Sequence, residues 1–77
     1  MRSRSLLRSL GEEIRELRTA KKLTQESLAA LAGVHINVVG RLEKGSYNPT
    51  VLLLSALAIK LDVSMEELFA GAEHRMQ

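Results

Sequence analysis

Cysteine is absent from these 77 residues, which excludes disulfides and every Cys-ligated metal or cluster. The only histidines, His35 and His74, stand far apart without ligand-like neighbours, so no metal site is expected. Aromatics are almost missing, with one Tyr and one Phe, and no stretch alternates apolar with polar residues, so no strand is expected. No apolar run approaches the roughly 18 residues of a membrane span. Arg2, Arg4 and Arg8 are followed by charged sequence rather than an apolar run, so no signal peptide is expected and the expected location is the cytoplasm. A paired nucleophile and base, metal-ligand spacing and a phosphate-cradling glycine loop are all missing. No enzyme, cofactor or small-molecule ligand is therefore expected.

What is present is the apolar fraction of a folded protein, 45%. A domain this small buries only about 60% of its unfolded surface and is marginally stable alone. With covalent and metal staples excluded, self-association is the expected extra support. Charge is unevenly distributed. Residues 1–45 hold nine Lys/Arg against five Asp/Glu, whereas residues 46–77 hold two against four. A basic N-terminal half suits a polyanion, although a solvated surface can carry the same bias.

Only Pro49 and five glycines interrupt the chain, and the segments between them read as five helices in a single domain over residues 1–77. Residues 1–5 read as a basic arm. The first helix is expected from about Ser5 to Lys21, with Leu7, Leu10, Ile14 and Leu17 on one stripe. Thr24 is a good N-cap for a second helix through Ala32, and Gly33 suits the left-handed C-cap that ends it. A third helix covers about His35 to Lys44, with Val39 and Leu42 inward and Gly45 as its stop. Thr50 caps a fourth through about Leu61, and Ser64 caps a fifth from Met65 to about Ala70, leaving residues 71–77 as a frayed tail.

The stretch from Gln25 to Gly45 carries the functional signal. Two short helices joined by a glycine-containing turn have the geometry of a helix-turn-helix. Ala29 is small where the third helix must cross the second, Gly33 turns the chain, and Val39 and Leu42 anchor the third helix from beneath. Any one of these requirements is weak evidence; together they are specific.

The string Leu23-Thr24-Gln25-Glu26-Ser27-Leu28-Ala29, followed by Ala32-Gly33-Val34, Arg41-Leu42-Glu43-Lys44-Gly45 and Asn48-Pro49-Thr50, resembles the Cro/C1-type (XRE-like) family. The resemblance extends upstream to Ile14 through Arg18 and downstream from Leu61 to Leu68, about residues 10–69 in all. A stand-alone chain of this length is similar to restriction-modification controller proteins, and also to short phage repressors and DNA-binding antitoxins. The resemblance implies an all-α, five-helix, lambda-repressor-like fold that lays its third helix in the major groove of double-stranded DNA.

On that resemblance His35, Ile36, Asn37 and Arg41 face the base edges. Arg41 can fork onto guanine and Asn37 can pair with adenine. For the exposed Ile36, contact with a thymine methyl and simple tolerance of a lone apolar residue are both open readings. Gly40 either admits close backbone approach or merely costs stability. Where the family usually carries polar residues at both positions, this chain is expected to read few bases directly and to draw on DNA shape. Gln25, Lys44, Ser46, Tyr47 and Asn48 are expected on phosphates, with a solvated charge complementing the helix C-terminus as the alternative for Lys44, while Arg18 and Glu43 match a structural ion pair. His35 is expected as a cap or phosphate neighbour, not a metal ligand.

On the fourth helix Val51, Leu54, Leu57, Ala58 and Leu61 form the expected core face, yet Leu52, Ala56 and Ile59 form a second apolar stripe. A wider monomeric core would use it, but a homodimer interface is the favoured reading, with Val63, Met65 and Phe69 contributing. The expected function is a homodimeric, sequence-specific transcriptional regulator on a pseudo-palindromic operator, with a controller protein as first choice. The alternatives are an antitoxin or phage-type repressor and, in a different class, a helical protein-interaction module without DNA binding.

Overall fold

Five helices follow one another: α1 Ser3–Ala20, α2 Gln25–Ala32, α3 Ile36–Glu43, α4 Val51–Lys60 and α5 Met65–Arg75. The structure is a computed structural model that describes residues 3–77, with side chains from Ser5 onward, and it contains no strand among them. Of the expected basic arm, Met1 and Arg2 lie outside the described residues, as do the side chains of Ser3 and Arg4. The backbone from Ser3 already belongs to α1, two residues before the expected start.

Local chemistry sets the helix boundaries. The hydroxyls of Thr24, Thr50 and Ser64 accept from the third amide of α2, α4 and α5 respectively. At Ser64 the device is reciprocal: Glu67 Oε1 accepts from the Ser64 amide at 2.9 Å, closing a capping box. The bonds with Ser64 hold the Glu67 carboxyl below its ordinary value, the Ser64 amide contributing most. The turns before α2 and α5 share one plan. Lys22 and Asp62 take positive φ of 59° and 60°, and Lys21 Nζ bonds Asp62 across the two turns. That bond and the ammonium charge lower the Asp62 pKa.

Ile14, Leu28, Val39, Leu42, Leu57 and Leu68 fill the core and are essentially sealed from solvent. Each such side chain contributes about 1.5–3 kcal/mol. α1 packs against α5 and α3, while α2 packs against α3 and α4. Gly11 is where α1 and α3 meet: a Cβ there would stand 2.3 Å from the Leu42 carbonyl oxygen.

Two expectations are corrected. The tail does not fray at Gly71: α5 continues to Arg75 because Ala72 is fully buried and Arg75 bonds Glu13 (3.0 Å) and Glu16 (2.9 Å) on α1. Val51 is not in the core face of α4. It is 72% exposed, at the edge of the buried arc in the first helical turn, where no neighbouring element covers it.

Candidate nucleic-acid interface

The turn between α2 and α3 is held by backbone geometry. Gly33 adopts φ 72° and ψ 32°, and its amide and that of Val34 close bonds to the last turn of α2. Nothing lies within 4 Å of a Cβ built on Gly33, so the left-handed backbone, not crowding, demands glycine. His35 then caps α3, its Nδ1 accepting from the Asn37 amide at 3.0 Å. With Nδ1 accepting, a neutral ring carries its proton on Nε2, where it can donate outward.

Val39, Leu42 and Glu43 turn inward from α3, which leaves Ile36, Asn37, Gly40, Arg41 and Lys44 on one outer face. These five residues and Gln25 line a shallow cavity of about 430 Å³. The fold thus gathers three of the four expected base-reading residues and two of the expected phosphate residues in one place. Arg41 and Lys44 supply positive charge there, and no carboxylate lines the cavity.

Beneath this face lies a buried clamp. Arg18 donates from Nε to Glu43 Oε2 at 2.6 Å and from Nη2 to Oε1 at 3.1 Å, while Nη1 donates to the Leu23 carbonyl at 2.8 Å. Both side chains are nearly inaccessible, 11% and 3% exposed, so the pair is fully committed. Gln25 Nε2 donates to the same Glu43 oxygen at 2.9 Å. One of its two amide N–H groups is therefore used internally, leaving one donor for a ligand. The sequence pattern gave no sign of that bond, since Gln25 and Glu43 belong to no shared helix face.

His35, Ser46, Tyr47 and Asn48 do not line the cavity. His35, Ser46 and Asn48 are exposed, whereas Tyr47 is half-buried and packs against the core. The Arg41 guanidinium lies over the Tyr47 ring, 5.6 Å from its centroid, and Nη2 reaches the Ser46 carbonyl at 3.4 Å. Such a contact at an exposed site contributes about 0.5–1 kcal/mol, so Arg41 is oriented but free to leave. Of the residues expected at an interface on α4 and beyond, Leu52 and Ile59 are exposed, while Ala56, Val63, Met65 and Phe69 are half-buried.

Comparison with known proteins agrees with this geometry. The Helix-turn-helix family model HTH_3 matches residues 14–68. The restriction-modification controller protein C.AhdI from Aeromonas hydrophila is 44% identical and superposes with a TM-score of 0.78, covering 80% of this chain and 94% of its own. The control protein C.SmaI of Serratia marcescens is 36% identical over 59 residues, 77% of this chain and 70% of that protein. The HTH-type transcriptional regulator RghRB of Bacillus subtilis is 37% identical over 83% of this chain, which spans about half (47%) of that longer protein.

Proposed function

The chain belongs to the Cro/C1-type helix-turn-helix family HTH_3, and from that premise we propose that it is a cytoplasmic transcriptional regulator binding a pseudo-palindromic operator as a homodimer. The observation that carries this reading is the outer face of α3, where Ile36, Asn37, Gly40, Arg41 and Lys44 stand together without a carboxylate. The likeness to C.AhdI and C.SmaI, both controller proteins by name, favours a restriction-modification controller.

In this reading α3 enters the major groove. Asn37 and Arg41 pair with base edges, each pair discriminating by about 1–3 kcal/mol. His35 and Ile36 meet the same edge from the first turn. Gln25 offers its remaining amide hydrogen to a phosphate beside the positive end of α2. Lys44, Ser46, Tyr47 and Asn48 hold the backbone on the other flank. The Arg18–Glu43 clamp fixes the angle between α1 and the end of α3, so the groove meets a preset surface.

A homodimer is supported by α4, where Leu52 is 82% and Ile59 66% exposed. Ala56 lies between them, and Val63, Met65 and Phe69 are half-buried close to the core. A symmetric pair would set two reading helices about 34–36 Å apart, one turn of duplex. Band-shift titrations across salt test the proposal. A dimer neutralising several phosphates loses affinity steeply, by about 0.9 log units per phosphate for each tenfold rise in salt. A chain that ignores every duplex at low ionic strength is instead a protein-interaction module. Footprinting on the DNA upstream of its own gene would then locate the operator.

A further inference from the structure

Resting on that reading, we infer that Gly40 and Ile36 form a seat for the 5-methyl group of one thymine in each half of the operator. Glycine is the least favourable helix-interior residue short of proline, so its place inside α3 needs a reason. Three of the other four glycines have firm backbone reasons within the chain, and the fourth, Gly71, lies against a neighbouring side chain. Gly33 and Gly45 take positive φ, a Cβ on Gly11 would collide with the Leu42 and Glu43 main chain, and one on Gly71 would press on the Glu13 carboxyl that holds Arg75. Gly40 has neither: its φ is helical, and an added Cβ would meet only Gln25 Oε1 at an ordinary 3.8 Å. The space above it is kept open for something outside the chain.

That space is the cavity bounded by Gln25, Ile36, Asn37, Arg41 and Lys44. Its one large apolar wall is Ile36, left 39% exposed on a face otherwise suited to a polyanion. An occupant must therefore be an apolar group carried on an anionic polymer. Among the four unmodified bases the only methyl group in the major groove is that of thymine, where cytosine carries a bare C5–H, so thymine is the base that fills such a seat. The cationic rim of Arg41 and Lys44 and the amides of Gln25 and Asn37 meet the surrounding phosphate and base atoms.

The test uses the full chain and a duplex selected from a random library, in which each thymine is replaced in turn by uracil, removing only the methyl. One position per half-site should weaken binding by roughly fourfold, the effect of withdrawing one methyl from apolar contact. Gly40→Leu, which fills the seat, should raise the melting midpoint by roughly 4–8 °C. It should also bind thymine and uracil duplexes alike. Ile36→Ala, which removes the wall without filling the space, should narrow the same difference. If uracil is tolerated at every position while the duplex is still bound, or if both variants keep the full discrimination, the seat is refuted and the regulator reading stands. If no duplex is selected, both fall.

Discussion

The outer faces of α3 and α4 are built from helices of similar length, eight and ten residues, yet they suit opposite partners. α3 shows an amide, two cations and a glycine-floored hollow. α4 shows Val51, Leu52 and Ile59, all more than 60% exposed, with no charge among them. Their supports differ as well. Both rest on buried apolar side chains, Val39 and Leu42 under α3 and Leu54, Leu57 and Ala58 under α4, but only α3 adds the charged Arg18–Glu43–Gln25 clamp. In the proposed reading the face that meets a rigid duplex has directional bonds beneath it, and the face that meets another apolar surface has packing alone, which has no preferred angle.

The sharpest way to break this contrast is Arg18→Ala. It strands the buried Glu43 carboxylate and should cost about 3–5 kcal/mol in urea unfolding; a loss under 1 kcal/mol would show the clamp to be dispensable. Next, Leu52→Glu combined with Ile59→Glu should leave folded monomers in ultracentrifugation. Losing the second half-site should weaken operator binding on the order of a hundredfold, and a monomeric unmutated chain at tens of micromolar would remove the interface. Within α3, Arg41→Ala should cost about 1–3 kcal/mol and relax preference at one base pair. Lys44→Ala should weaken all sequences alike and reduce the salt slope by about one. If the two variants behaved identically, Arg41 would be a phosphate contact.

The smallest effect concerns acid. Glu67 and Asp62 have folded pKa values below their unfolded ones. Their contribution is present above the ordinary carboxylate range and disappears as pH falls through the lowered folded values. The melting midpoint should therefore decline below about pH 4, and Glu67→Gln with Asp62→Asn should flatten that decline. An unchanged slope would remove both bonds from the stability balance.

Much of the fold was legible because its signals are local. Thr24, Thr50 and Ser64 cap within three residues, and Gly33 declares its own backbone angle. What escaped depends on distant partners. α5 extends past Gly71 because Ala72 is buried against the core and Arg75 finds Glu13, 62 residues earlier in the chain. Helical spacing alone assigns Val51 to the buried arc, since spacing does not say where neighbouring helices end. At the site, the outer residues of α3 follow from period and resemblance. The Gln25–Glu43 bond and the stacking of Arg41 on Tyr47 arise from tertiary approach and left no periodic trace.

Gly11 touches neither the groove face nor the apolar stripe, yet the main chains of α1 and α3 meet against it, and any side chain there would have to push the Leu42 and Glu43 carbonyls away. A genetic screen for chains that still accumulate but no longer regulate should therefore return substitutions at position 11 beside those in the reading helix. Such alleles would tilt the reader without altering a single letter of what it reads with.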